Sequence, residues 1–335
     1  MSKLLERLRK NSIVKPELLK NSKYFAADSF IPTNIPILNL AFTGSFKGGM
    51  PKAGITMVAA PPKHFKTNFL LEMMRGFQDE NKDKDYYIVL YDSEKGYTPE
   101  YFEKAGLDMD RIDHRFITSV EEWKNDIANL VNDIEEGDNV LIAVDSIGML
   151  PSKKEAQDAL DSKDVSDMTR AKQLKSVFRI ITPHVAKKDI PVIIINHSYQ
   201  TLDLYGKEVA AGGRGAQYAG HTLWFITKAK DMDGKDQQGF TFTIKSGLSR
   251  YVKENSSFPV TAEFGKGIEK YSGIFDIARE EGFILSPKQG WYKLKSWTEQ
   301  MPSKRRGDLE ADAEFMEALI NDDEFEKAVN LKFKL

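Results

Sequence analysis

Gly54-Ile-Thr-Met-Val-Ala-Ala-Pro-Pro-Lys-His-Phe-Lys-Thr67 decides the fold. It reads as a short apolar strand (55–59), a loop, and a helix opening at Lys66-Thr67 and running through 67–77. A strand that enters a helix through a loop ending in Lys-Thr is the layout of a phosphate-binding loop. Backbone amides at the helix start attract an anion. The lysine reaches the β- and γ-phosphates and the hydroxyl holds Mg²⁺. Ala60, Pro61, Pro62, Lys63, His64, Phe65, Lys66, Thr67 and Asn68 are thus the candidate nucleotide loop. The pattern is imperfect, because Ala60 and Phe65 stand where glycines are usual. Phe65 is the graver change if the loop needs a positive φ there. The same letters also fit an ordinary strand-turn-helix with Pro61-Pro62 in the turn.

Working outward, the chain has 335 residues, 41% of them hydrophobic, which suits one large folded core and a small satellite. No apolar run is long enough to span a membrane. Met1 to Lys20 lacks the apolar block of a signal peptide. Cysteine is absent and the formal net charge is −2. Disulfides and thiolate metal sites are excluded, and a reducing compartment fits. Global charge gives no support to nucleic-acid binding, which would need local basic loops.

Residues 3–10 form an amphipathic basic helix. Short continuous apolar runs recur at 55–59, 86–91, 140–144 and 192–195, as expected of strands buried on both faces of a parallel sheet. Helical stretches lie between them, at 99–105, 120–135 and 165–186. Strands follow at 222–227 and 240–244, joined by a polar turn over 231–239, where Asp233-Gly234 signals a hairpin. A small domain begins at Tyr271 with a helix (274–281) and a hairpin (282–294). Residues 304–307 break the chain, and 308–326, with nine acids and no base, reads as one surface helix with an acidic face. The fold expected is therefore α/β, a P-loop NTPase core with a mostly parallel central sheet. The division is an N-terminal helix and linker (1–35), a core (36–270) and a small C-terminal α+β domain (271–335).

Two apolar strands end in acids: 86–91 runs into Asp92-Ser93-Glu94, and 140–144 into Asp145-Ser146. Ligands of an open parallel sheet lie beyond the carboxyl ends of its strands, so these acids converge on Lys66-Thr67. Asp145 is the candidate Mg²⁺-linked acid. Glu94 is the candidate base or orienter of an attacking water. A third strand ends in Asn196-His197, an amide able to sense the γ-phosphate and an imidazole able to relay it. Taken singly, each acid could equally be a helix cap or turn residue. Gly212-Gly213-Arg214 lies in a flexible basic loop.

The pattern now resembles a family. Asp92-Ser93-Glu94 followed by Pro99-Glu-Tyr101-Phe-Glu-Lys-Ala-Gly106 is similar to the catalytic-glutamate segment of the RecA/Rad51 recombinases, and Val140 to Ser146 to their second acidic motif. Within that family the chain resembles the UvsX-type recombinases of T4-like phages. The resemblance rests on Phe65-Lys66-Thr67, Val165 to Lys172, Phe178 to Pro183 and Gly290-Trp-Tyr292, and covers about residues 20–293. That branch already lacks the second glycine, whereas Ala60 departs even from it. The resemblance implies a RecA-type fold with ATP and Mg²⁺ as cofactors. Lys66 and Glu94 would be catalytic, Thr67 and Asp145 would hold the metal, and Tyr101 would stack on adenine with Tyr271 a further candidate. It implies a first DNA loop over 151–163 with Lys153 and Lys154, and a second over 198–214 with Tyr199, Lys207 and Arg214. Arg250 or Lys253 would act across subunits, and the N-terminal arm would contact a neighbour.

The activity implied is DNA-dependent ATP hydrolysis that drives filament assembly on single-stranded DNA and strand exchange with a duplex. Such a protein serves recombination, repair and recombination-dependent replication. Its partners would include a single-strand-binding protein and a recombination mediator, and no membrane, in the cytoplasm of an infected bacterium. Two other readings remain: a filament or mediator protein that binds nucleotide and DNA without hydrolysis, and a hexameric helicase.

Overall fold

The computed structural model describes residues 3–22, 29–162, 168–201, 206–213, 220–233, 236–296 and 302–335. Its strands are β1 (30–31), β2 (50–51), β3 (54–60), β4 (86–92), β5 (112–116), β6 (139–145), β7 (191–200), β8 (208–210), β9 (222–233), β10 (236–249), β11 (257–263), β12 (267–268), β13 (284–288) and β14 (291–294). The helices used below are α1 (3–9), α2 (36–43), α3 (66–81), α4 (99–104), α5 (120–133), α6 (153–160) and α7 (169–188).

The main sheet has the order β12-β11-β10-β9-β3-β7-β6-β4-β5, with β8 pairing onto the end of β7. From β9 to β5 all neighbours are parallel, and β10, β11 and β12 continue the sheet antiparallel. The expected mostly parallel α/β architecture is borne out. Its cause is visible in β3 and β7, which are apolar on both faces. Val58, Ala60, Ile193 and Ile195 face α2 and α3, while Met57, Ala59, Val192 and Ile194 face α5 and α7. Period-two alternation thus feeds two cores from one strand, so both faces are largely apolar.

The β9–β10 ribbon is longer than the sequence suggests. The stretch expected as a polar turn is mostly strand, since β9 runs to Asp233 and β10 starts at Asp236. This stretch is almost wholly polar or glycine, so hydropathy hides the pairing. Gly234 of the expected hairpin signal lies outside the described residues.

In the C-terminal module the single acidic helix becomes three, at 306–310, 313–320 and 323–333. Two of the acids cause the breaks. The Asp312 carboxylate accepts from Phe315 N, and Asp322 accepts from Glu324 N and Phe325 N, so each caps a new helix. Arg306, read as part of a break, opens the first of them. The module grips the core through Glu326, a buried carboxylate that accepts from Ser45 Oγ and, at 3.2 Å, from Phe46 N. Among the described residues, no helix is long and apolar enough to cross a membrane.

Candidate nucleotide site and its loops

Register brings the candidate residues together. Ala60 at the end of β3 lies opposite His197 of β7, and Asp92 of β4 lies opposite Asp145 of β6. The carboxyl ends of four parallel strands therefore form one rim, and α3 starts from it at Lys66.

The candidate nucleotide loop holds two residues with left-handed backbone. Phe65 precedes α3 with φ 63° and ψ 16°, and Lys63 has φ 60°. A residue with a side chain pays about 1–3 kcal/mol for a sparsely populated region of this kind. The Phe65 ring is partly buried and stacks on Phe242 with centroids 5.2 Å apart and planes 16° apart. Ala60 is wholly buried, and its carbonyl, like that of Pro61, accepts from Lys66 Nζ, at 3.2 and 3.0 Å. Burial pushes the Lys66 ammonium below the ordinary lysine range, opposed by the negative charges of Glu94 and Asp145. That ammonium is held by neutral carbonyls, which an anionic phosphate would outcompete. Pro62 O lies 2.9 Å from His64 Nδ1, and Asn68 sits in the first turn of α3.

Asp145 is buried, and its Oδ2 accepts from Thr67 Oγ1 and from Tyr97 OH, each at 2.7 Å. Burial raises its carboxyl above the usual range, and the two hydroxyls pull it back. A hydroxyl and a carboxylate in contact beside a lysine form a hard oxygen donor set that fits Mg²⁺. Glu94 Oε1 accepts from Ser146 Oγ at 2.6 Å and lies 3.4 Å from His197 Nε2. His197 first, then Ser146, holds the Glu94 carboxyl down at about 2 against the effect of burial, so it is ionised at neutral pH. The ring reaches Glu94 across Gly148. A Cβ on that glycine would come within 2.0 Å of His197 Cδ2.

Asn196 is fully buried. Its Nδ2 donates to Ala211 O at 2.8 Å, and Ala211 N donates to His197 O at 2.8 Å. The switch candidates are thus tied directly to the second loop. That loop is not free chain throughout: β7 continues to Gln200 and pairs with β8 through Ser198–Ala210, Tyr199–Val209 and Gln200–Glu208. Tyr199 and Lys207 are exposed at this hairpin. Arg214 lies outside the described residues.

The first loop is also more ordered than expected. Ser152 and Glu155 form a capping box, and residues 153–160 are helix α6. Lys153 is exposed at its start, and Lys154 pairs with Asp158 one turn on. The helix expected from 165 begins at Thr169, and 163–167 lie outside the described residues.

Tyr101 projects from α4 at 45% exposure, open to a ligand. Tyr271 is half-buried in the C-terminal module and its hydroxyl donates to Glu317 Oε1 at 2.8 Å. Arg250 and Lys253 lie beyond the end of β10, whose Ser249 pairs with Thr222, itself opposite Thr56 near the start of β3. They are therefore at the opposite end of the sheet from the chain's own loop. Arg250 is exposed, while Lys253 Nζ donates to Leu331 O and Lys332 O at the end of the last helix.

Further contacts and surface features emerge only in the structure. Tyr97 and Ser146 orient the two acids. Arg170 donates to Ile147 O, Gly148 O and Leu150 O and so fixes the turn after Asp145. Phe264, 59% exposed, stands edge-on to Phe240 at 5.5 Å, in line with Phe242 and Phe65. Lys172, Lys175 and Arg179 form an exposed stripe on α7, opposite its buried Leu174, Val177, Phe178 and Ile181. The three- and four-residue spacing of those basic residues was a usable signal. The others are ordinary residues in sequence and gain meaning only from contacts.

Comparison with known proteins places the chain in a family. Residues 7–268 match the RecA N-terminal domain, and residues 271–329 match the C-terminal domain of the bacteriophage T4 recombination and repair protein. The chain is 43% identical over 293 residues to the recombination and repair protein of Enterobacteria phage T4, covering 87% of this chain and 74% of that one. It is 26% identical over 251 residues to the RecA protein of Petrotoga mobilis, covering 74% of this chain and 65% of the relative. With the RecA protein of Streptomyces ambofaciens the identity is 23% over 266 residues, covering 78% of this chain and 68% of the relative.

Proposed function

We propose, for a chain that belongs to the RecA family of recombinases, that it is a DNA-dependent ATPase which forms filaments on single-stranded DNA and pairs it with a homologous duplex. One observation carries the reading. Lys66, Thr67, Glu94, Asp145 and the Asn196-His197 pair meet on one rim, and that rim is hydrogen-bonded to a DNA-loop candidate.

In this reading the first-turn amides of α3 and Lys66 take the phosphates, and Tyr101 and Phe264 offer aromatic faces to the base. Thr67 and Asp145 would hold Mg²⁺, which would supply positive charge to neutralise that developing on the phosphates. Glu94, ionised and held by Ser146 and His197, orients the attacking water and accepts its proton. Loss of the γ-phosphate releases Glu94, His197 and Asn196, and the Asn196–Ala211 bond carries that change to the 198–213 segment. Lys153, Lys154, Lys207 and the α7 stripe meet DNA phosphates, and Tyr199 stacks on a base.

Arg250, set at the far end of the sheet, would reach the site of a neighbouring subunit in a head-to-tail helical filament. Lys253 keeps that turn in place through the last helix. The N-terminal helix would be a subunit contact, and a single-strand-binding protein and a mediator would be partners in the cytoplasm of an infected host. The test is ATP hydrolysis with and without single-stranded DNA, with Lys66→Ala as control. Stimulation that the substitution abolishes supports the reading, and nucleotide binding with no DNA-stimulated turnover refutes the motor.

A further inference from the structure

The loop at 61–66 is held from outside, and both holds come from one place. Lys63 and Phe65, the loop residues with left-handed backbone, carry side chains that disfavour it. Lys228 Nζ of β9 donates to Lys63 O at 2.9 Å. Phe242 of β10 stacks on Phe65 and meets Phe69, in the first turn of α3, edge-on at 6.0 Å. Lys228 and Phe242 are cross-strand partners in the ribbon register, so their side chains leave the sheet on the same face. Lys228 also lies 4.6 Å over the Phe240 ring, which fixes its direction. One pair of facing residues thus grips the two strained positions of the loop.

We propose that Lys228 and Phe242 are positioning residues for the nucleotide, a brace that supplies from outside the conformation a glycine would adopt by itself. The inference rests on the nucleotide reading above. Its logic is preorganisation: the brace holds the left-handed loop before the ligand arrives, so less binding energy is spent on ordering it. Without the brace, Phe65 relaxes toward ordinary backbone and the amides turn from the phosphates. Binding then weakens, while the bound complex still has Lys66 and Glu94, so KM rises with little change in kcat.

A double-mutant cycle in the full chain tests this, read by titration with a fluorescent ATP analogue and by DNA-stimulated hydrolysis. Phe242→Leu is expected to raise the Kd about tenfold in the parent. In the Phe65→Gly background, where the loop needs no brace, the same change should move Kd less than about twofold. Phe242 is also a buried core residue, so the melting temperature is followed in both backgrounds and Kd is taken per folded molecule, which separates lost folding from lost preorganisation. Equal rises in Kd in the two backgrounds overturn the brace.

Lys228→Met gives the same answer without touching the core. A several-fold rise in Kd, restored by Lys228→Arg, supports the brace, and an unchanged Kd overturns it. If the parent binds no ATP analogue, the nucleotide reading falls and takes the brace with it. If the parent binds and the cycle is additive, the brace falls alone.

Discussion

The two ends of the central sheet solve opposite problems. At the carboxyl end, charged groups sit close together, Lys66 and Asp145 buried and Glu94 more open. Lys66, Glu94 and Asp145 perturb one another, and each has a pKa displaced from its ordinary value. At the amino end the chain is closed by neutral backbone pairing. Lys253 N donates to Phe333 O, Leu335 N to Tyr251 O, and His221 N to Ile55 O. Burial disfavours the charged forms of Lys66 and Asp145, while Glu94 is held ionised; groups displaced in this way are poised for chemistry and for a ligand that satisfies them. Backbone pairs are already satisfied and offer a ligand nothing. The carboxyl end is therefore expected to respond to substitution through turnover, and the backbone-paired amino end and its C-terminal latch through stability, the exposed Arg250 excepted.

That contrast can be broken at its strongest point first. Lys66→Ala should reduce DNA-stimulated ATP hydrolysis to background while the melting temperature stays near that of the parent. A large drop in melting temperature would mean the lysine is structural and would collapse the contrast. Glu94→Gln should keep ATP and DNA binding and lower turnover by roughly 10²–10⁴-fold, measured by single-turnover hydrolysis. Unchanged turnover removes Glu94 from the water-activating role.

On the latch, Glu326→Ala orphans Phe46 N and should cost about 1–3 kcal/mol of unfolding free energy, read by denaturant titration, with kcat per folded molecule retained. If kcat falls instead, the latch is part of the motor and the division of labour is wrong. Lys153→Ala/Lys154→Ala should flatten the salt dependence of single-stranded DNA binding by about 0.7 in the log–log slope for each DNA phosphate no longer neutralised. An unchanged slope places the start of α6 away from DNA.

Acid sharpens the same comparison. The Glu94 carboxyl is lowered in the fold to about 2, from 4.5. A depressed carboxylate contributes stability that is present above its unfolded value and is lost as pH falls through the folded one. The window is thus pH 4.5 down to about 2, and the Glu94→Gln variant should lose less stability across it than the parent. Differential scanning at several pH values reads this, and parallel curves would mean that His197 and Ser146 do not hold Glu94 as described.

Much of the architecture was legible from sequence because buried strands advertise themselves. The runs at 55–59, 86–91, 140–144 and 192–195 are dominated by apolar residues, and all four are central parallel strands. The acids at the strand ends followed from the same reading, since strand direction alone sends Asp92 and Asp145 to one rim. Reading failed where local chemistry competes with pattern. The capping box at Ser152 turned an expected loop into helix, and Asp312 and Asp322 cut an expected helix into pieces. The β9–β10 ribbon was underestimated because its outer part is polar or glycine almost throughout.

What the sequence alone determined is the four central parallel strands with the helices between them, the double-faced core and the list of charged groups sent to the carboxyl rim. These follow from hydropathy period and chain direction, which are local properties. Only the tertiary structure decided how Phe65 could stand in place of glycine. The answer lies in Phe242 and Lys228, about 170 residues further along the chain. It likewise decided that Asn196 speaks to Ala211 and that Lys253 caps the last helix. Contacts of this kind depend on register and on side chains meeting across elements, and neither propensity nor spacing encodes which distant partner will arrive.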